Sequence, residues 1–377
     1  MRLLITAGGT GGHVYPALAV ASEIPPEAVV RWIGAAGGME RELVTRAGIE
    51  FEAIQGGQVV GIGLRGVWGL AKLGWGAIQA WRIIARWKPS ALFVTGGYTA
   101  IPVAVACWLA RVPILVYLPD IEPGSAVKVV SRFATTITVT AEESRTYFSR
   151  KNAVVTGYPV RSEIVAASRE DAVAHFGLAD SRQTIFVWGG SRGARSINDA
   201  LLDALDDLLN DYQIIHVSGD LDWPTVQERA SKLPEDKQVH YHAFPYLHDD
   251  MGLAFAAADL VVCRAGASAL GELPMFGLGA ILVPYPYAWR YQKVNADYLA
   301  ARGAGVRLND EDLKMKLTAT LRDLLRDPDH LTAMRSAARA LAVPDAAKRI
   351  VVELLQLMRA GALHTASPAP TNGGQRP

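Results

Sequence analysis

Cysteine is scarce in this 377-residue chain. The two present, Cys107 and Cys263, are far apart and lack metal-ligand spacing, so they read as reduced, buried small hydrophobes. That excludes a disulfide scaffold and a thiolate metal centre. Net charge is also nearly absent: 38 Lys+Arg stand against 37 Asp+Glu, for a formal +1, which gives no support to nucleic-acid binding. No apolar run is long enough to cross a bilayer, because the stretch from Ile101 to Val116 is broken by Pro102, Arg111 and Pro113. The N-terminus has one basic residue and a short apolar run before its glycines, too little for a secretory leader. No Gly-Lys-Ser/Thr occurs, so there is no P-loop. With 50% hydrophobic and 20% charged residues, disorder is excluded, and the length suits two or three domains.

What the chain has in surplus is glycine (35) and tryptophan (9). Short apolar runs alternate with helix-like segments. Leu3–Thr6, Val29–Ile33, Ala91–Thr95, Ile114–Tyr117 and Thr136–Val139 read as strands of a first half. Thr184–Trp188, Gln213–Val217, Val239–Tyr241, Leu260–Cys263 and Ala280–Pro284 read as strands of a second. Such alternation implies α/β architecture: two doubly wound parallel-sheet domains facing a cleft, with ligand at the carboxyl ends of the strands. The short apolar run Ala153-Val154-Val155 reads as the last strand of the first half, and Gly157-Tyr158-Pro159-Val160-Arg161 then passes as a linker from one half to the other.

Glycines mark three strand-to-helix turns. Gly8-Gly9-Thr10-Gly11-Gly12-His13 follows the first strand, where backbone N–H groups and a helix dipole suit a phosphate or sugar oxygen. A dinucleotide fingerprint is disfavoured: Val14 stands where its third glycine belongs, and no acidic residue follows Ile33 to hold a ribose. Gly189-Gly190-Ser191-Arg192-Gly193 repeats the device in the second half. A third loop and helix start, Ala267, Ser268, Ala269, Leu270 and Gly271, suits a diphosphate, and Glu272 could accept both hydroxyls of a ribose diol or merely favour the first turn. Gln292 and Asn295, three apart, share a helix face and carry amides suited to sugar hydroxyls. Asp220 and Asp222 match a metal-holding pattern, but neighbouring Gly219 and Pro224 favour a solvated turn; His240, His242 and His248 read as satisfied polar residues.

Four tryptophans, Trp68, Trp75, Trp81 and Trp87, crowd into one short segment. On a helix, Trp68, Lys72, Trp75, Gln79, Arg82 and Arg86 share one arc, with Leu70, Leu73, Ala77, Ala80 and Ile84 opposite. Indoles mixed with cations suit an anionic lipid headgroup layer; an ordinary solvated face is the alternative.

These motifs resemble those of the MurG family of peptidoglycan N-acetylglucosaminyltransferases. Ala7 to Pro16 looks like that family's opening signature, and Gly96-Gly97-Tyr98, Gly157–Arg161, Gly189–Ala194, Arg264–Glu272 and Gln292–Ala296 follow in the family's order. The resemblance runs from Arg2 to about Leu357. It implies a GT-B architecture and an inverting reaction with no metal and no cofactor. The donor would be UDP-N-acetylglucosamine. The acceptor would be lipid I, the undecaprenyl-diphosphoryl-N-acetylmuramoyl-pentapeptide, and the product lipid II. It further implies a peripheral location on the cytoplasmic face of the cell membrane, against anionic lipids. Donor contacts would fall on Thr10, Gly11, Gly12, Arg161, Ser191, Glu272 and Gln292, with a Leu247 backbone contact to uracil although the count there is off by one residue. His13 is the candidate catalytic base or acceptor-diphosphate contact. The expected division is 1–157 and 158–343 as two Rossmann-like domains, a helix over 344–360 returning to the first, and a disordered tail over 361–377. Two departures stand out: Tyr117-Leu118-Pro119-Asp120 replaces a His-Glu-Gln-Asn run, putting Asp120 where relatives carry a donor-contacting asparagine, and Trp289 replaces an acidic residue. Rival readings are another GT-B transferase acting on a lipid or small aglycone, a UDP-N-acetylglucosamine epimerase, and a non-catalytic nucleotide-sugar sensor.

Overall fold

The computed structural model describes residues 1–55, 64–148, 151–190, 193–287 and 290–366, with backbone alone over 64–73 and 360–366. Two parallel sheets organise it. The first contains β1 (Arg2–Ala7), β2 (Val29–Ala35), β3 (Glu50–Ile54), β4 (Ala91–Gly96), β5 (Ile114–Leu118), β6 (Thr136–Val139) and β7 (Ala153–Val155), in spatial order 3-2-1-4-5-6-7. The second contains β8 (Thr184–Trp188), β9 (Gln213–Val217), β10 (Tyr241–Phe244), β11 (Leu260–Cys263), β12 (Ala280–Leu282) and β13 (Gly305–Arg307), in order 10-9-8-11-12-13. Central strands β4, β5, β9 and β11 are buried along their whole length, which is why they read as largely apolar runs, with Thr95, Gln213 and His216 as buried polar exceptions.

Each sheet carries a hydrophobic core on both faces. In the first domain, Leu4, Val94 and Val116 pack under the helices Leu64–Trp87 and Ala100–Leu109. Leu3, Ile5 and Phe93 face the other side, against Val14 and Val20 of the first helix. The last helix, Ala346–Ala366, joins that second core through Ile350, Leu354 and Met358. It continues six residues into the stretch expected as a tail; residues 367–377 lie outside the described ones.

Two strands escaped the sequence reading. β3 alternates Glu50 and Glu52 with apolar residues because it is the sheet edge, where charge discourages further pairing. Arg31 bridges to both glutamates, at 2.8 and 3.2 Å. β13 is three residues long and has no periodicity to detect. The expected strand Val239–Tyr241 is displaced to Tyr241–Phe244, since the turn before it bonds His240 N to Lys237 O.

The chain crosses between domains near Gly157 and returns near Val343, and the two crossings touch. Gly157 has φ of +83°, and a Cβ there would lie 2.5 Å from Val343 Cβ. Gly157→Ala is therefore expected to cost about 2–4 kcal/mol from backbone strain and overlap together, read as a lower urea midpoint. Adding Val343→Ala removes the two methyl overlaps at 2.8 Å and should recover only part of the overlap share, leaving the Cβ contact and the backbone share.

Candidate functional site

In a doubly wound sheet the crevice opens where strand order reverses. Here the reversals fall between β1 and β4 in the first sheet and between β8 and β11 in the second. The expected glycine loops occupy those points. Thr10 is extended and ends the loop after β1, and the helix begins at Gly11, with Pro16 inside it. Ser191, in the loop after β8, lies outside the described residues. The loop after β11 leads into the helix Ala269–Phe276. The two half-sites face one another closely: a Cβ at Gly12 would lie 3.6 Å from Ala267 Cβ in the opposite domain.

His13 is fixed on the first wall. Its carbonyl accepts from Thr95 Oγ1 at 2.6 Å, and its Nδ1 lies 3.3 Å from Thr10 Oγ1. Its ring occupies the space beside Gly96, where a Cβ would come within 2.6 Å of His13 Cδ2, so no larger residue fits. Burial pushes the imidazole below its ordinary pKa, opposed by the Asp120 carboxylate.

On the second wall, Glu272 is 8% exposed. Burial raises its carboxyl to about 7, with Ser268 and Arg161 pulling the other way. Among the described residues, three buried polar atoms here have no partner: Glu272 Oε2, Arg161 Nε and Tyr158 Oη. An acceptor, a cationic donor and a hydroxyl left open together match a ligand with both phosphate and hydroxyl groups. Arg161 is held by stacking over Tyr15 of the first domain, 4.6 Å from the ring centre. Tyr15 in turn meets Tyr246 across the cleft, hydroxyl to hydroxyl at 2.9 Å. Tyr15, Tyr158 and Tyr246 were not singled out from sequence; Tyr15 lies inside the Ala7–Pro16 signature and Tyr158 inside the Gly157–Arg161 motif, and only the assembled cleft reveals Tyr246.

Gln292 stands at the cleft with Oε1 accepting from Tyr285 N at 2.8 Å. Asn295 departs from expectation. One turn deeper on the same helix, it has no exposed surface, and its amide is spent on the protein. It donates to Asp120 Oδ1 at 2.8 Å and Ala265 O at 3.1 Å, and accepts from Ile121 N at 3.1 Å. Sharing a face with Gln292 placed Asn295 against the other domain instead of a sugar. The Leu247 side chain is buried in the second domain's core, leaving its backbone as the part a ligand could meet. Asp222 accepts from Arg195 and Asn198, at 3.0 and 2.9 Å. Among the described residues no group of three or more His, Cys, Asp or Glu is arranged to hold a metal ion.

The tryptophan segment is a helix, Leu64–Trp87. The side chains of Trp68 and Lys72 lie outside the described residues. Trp75, Ile78 and Trp81 are exposed by 50%, 47% and 44%, with exposed Arg82 and Arg86 alongside. Ala80 and Ile84 are buried as expected. Gln79 is turned away to accept from Gln55 N at 2.8 Å, and Trp87 is buried beneath Arg31. The exposed stripe is thus more apolar than the arc read from sequence. No described helix is long and apolar enough to cross a membrane.

The glycosyltransferase family 28 N-terminal domain matches residues 3–139, and the family's C-terminal domain matches 184–350. A UDP-N-acetylglucosamine–N-acetylmuramyl-(pentapeptide) pyrophosphoryl-undecaprenol N-acetylglucosamine transferase of Roseiflexus sp. (strain RS-1) is 40% identical over 95% of this chain and 95% of its own length. Its namesake in Moorella thermoacetica is 38% identical over 96% and 100%. The chain belongs to the MurG family. Among solved structures, Acinetobacter baumannii MurG superposes with a TM-score of 0.75, at 28% identity over 94% of this chain and 99% of its own. The two facing sheets are accordingly the GT-B architecture of that family. A UDP-GlcNAc 2-epimerase from Neisseria meningitidis, at 13% identity and a TM-score of 0.67, shares the fold alone.

Glu272 supplies a test of this electrostatic picture. Its carboxyl is raised from 4.5 to about 7, so the native state holds a proton that unfolding releases between those pH values. Stability should therefore fall as pH rises through that window. Relative to Glu272→Gln, the wild type is expected to lose on the order of 3 kcal/mol between pH 4.5 and 8, measured by urea unfolding at each pH.

Proposed function

We infer that this chain transfers N-acetylglucosamine from its UDP conjugate to the C4 hydroxyl of N-acetylmuramic acid in lipid I, yielding lipid II and UDP in peptidoglycan synthesis. The observation that carries this reading at the site is the open trio of Glu272, Arg161 and Tyr158 beside a helix start, facing a second glycine-turn helix start across the cleft. A nucleoside diphosphate sugar offers the matching groups: ribose hydroxyls for the Glu272 carboxylate, phosphate oxygens for Arg161 and for the amides at Ala267, Ser268, Ala269, Leu270 and Gly271. Thr10, Gly11 and Gly12 approach the same space from the acceptor side, and Ser191 and the Leu247 backbone complete the donor contacts. Gln292 takes the sugar hydroxyls. Asn295 is left out of that role because its amide is already saturated.

In the reaction the C4 oxygen bonds to the anomeric carbon from the face opposite UDP, inverting it. The bond from that carbon to the diphosphate oxygen breaks, and its electron pair stays on the β-phosphate. The hydroxyl proton passes to His13, whose burial keeps the ring neutral near pH 7 and able to accept it. Charge growing on the departing diphosphate meets helix dipoles, amides and Arg161.

Labelled UDP-GlcNAc with a short-chain lipid I analogue should give transfer without added divalent ion. His13→Ala should lower kcat by roughly 10²–10⁴-fold with both substrates saturating. Full turnover in that variant would remove His13 as the base.

The acceptor's lipid anchor calls for work at a membrane surface, and a peripheral protein on the cytoplasmic face is the arrangement we propose. The exposed Trp75, Ile78 and Trp81 beside Arg82 and Arg86 suit that surface, indoles at the headgroup level and cations over anionic lipid. Replacing Trp75 and Arg82 by Ser is expected to weaken co-sedimentation with anionic vesicles and leave thermal stability unchanged. Unaltered partitioning would refute this surface.

A further inference from the structure

Asp120 lies in the loop after β5, one strand from β4, whose Gly96 packs against the His13 ring. From the opposite domain, the buried Asn295 amide holds Asp120 Oδ1 at 2.8 Å and the Ile121 N–H at 3.1 Å. The same amide grips Ala265, in the loop whose Ala267 meets Gly12, the residue before His13. The helix bearing Asn295 is also tied to the first domain beyond both its ends, by Arg290 to Glu122 at 2.8 Å and by Arg302 to Glu143. We propose that Asp120 is a positioning residue for His13 that acts through its charge: Asn295 sets the carboxylate in place across the cleft, so that the field at the imidazole is completed by domain closure.

This rests on the reading of His13 as base. When the acceptor oxygen bonds to the anomeric carbon and the diphosphate leaves with the bonding pair, the hydroxyl proton makes His13 cationic. An ionised Asp120 carboxylate in the same buried space offsets that charge, burial working against its ionisation and His13 and the Asn295 amide working for it. Burial pushes the His13 imidazole down and the Asp120 carboxyl up, and each group's charge opposes the shift of the other. The other titratable groups facing Asp120 are the phenols of Tyr117, Tyr158 and Tyr291, all raised by burial and neutral at working pH. Glu122, two residues on, is paired with Arg290 and Lys128.

Asp120→Asn retains an oxygen for Asn295 and removes only the charge. In histidine-labelled full-length enzyme followed by NMR, with His13→Gln assigning the signal, the His13 titration midpoint is expected to fall by about 0.5 in pH or more. The acid limb of kcat/KM should move the same way, with kcat lowered roughly tenfold and KM for UDP-GlcNAc within about twofold. Asp120→Glu, which restores charge at a displaced position, should return the midpoint toward wild type without restoring kcat. Asn295→Ala should lower kcat at unchanged fold, judged by circular dichroism. A His13 midpoint and acid limb that do not move in Asp120→Asn overturn the proposal. Failure of wild-type enzyme to glycosylate the lipid I analogue would instead overturn the functional reading, and the NMR titration is independent of it.

Discussion

Closure of the cleft depends on a small set of polar contacts made where water is excluded. Asn295 is the centre of that set: one amide with no exposed surface satisfies a carboxylate, a carbonyl and an amide N–H drawn from two domains. Leaving any of those groups buried and unpaired would cost about 1–3 kcal/mol, so the arrangement of the domains is specified and not merely permitted. Gln292 and the loop from Ala265 to Ala267 ride on the same contact. On the proposed assignment, a donor seated on the second domain would thereby be brought to the wall that carries His13 and Gly12.

The parallel sheets explain why chemistry can be confined to that seam. Both reversal points in strand order lie at the carboxyl ends of the strands, and both are followed by helix starts whose amides point into the cleft. Positive dipole ends converge on a narrow space between two large apolar bodies, where a diphosphate is attracted without a dense cluster of cations. That accounts for a chain of nearly balanced charge acting on a doubly negative donor. Arg161 adds a cation at one point only, and Tyr15 from the other domain keeps it there through its ring face.

Much of this was legible in the sequence because the informative signals are local. Apolar runs bounded by glycine marked the central strands, and three glycine or small-residue turns marked the half-sites. What escaped is non-local or masked by charge. β3 is an edge strand whose glutamates suppress its apolar signal, and β13 is too short to show a period. The Tyr15–Tyr246 contact joins residues 231 apart in sequence. Asn295 illustrates the limit of helical-face reasoning: the three-residue spacing from Gln292 was right about the face, but which body the face meets depends on how two domains dock. The tryptophan helix shows the same limit, since Trp87 turned into the core and Trp81 outward once the neighbouring helix and Arg31 were in place.

The two chain crossings determine how such a cleft can open. Gly157 and Val343 are packed against each other, and the final helix is anchored in the first domain by Ile350, Leu354 and Met358. Tyr117 adds a tie at that point, its hydroxyl donating to Gly157 O at 3.1 Å. Two adjacent strands of chain, pinned at their base, leave rotation about one line as the low-cost motion, whereas sliding would break the ties at both crossings. Contacts farther from that line must separate in opening, and these include the Asn295 bridge and the ion pairs of Arg290 and Arg302. Both pairs are partly solvated, so each contributes little alone, and the buried amide supplies most of the resistance. A closed state held by one buried bridge, two weak pairs and the Tyr15 contacts to Tyr246 and Arg161 is stable enough to exclude water, yet able to reopen.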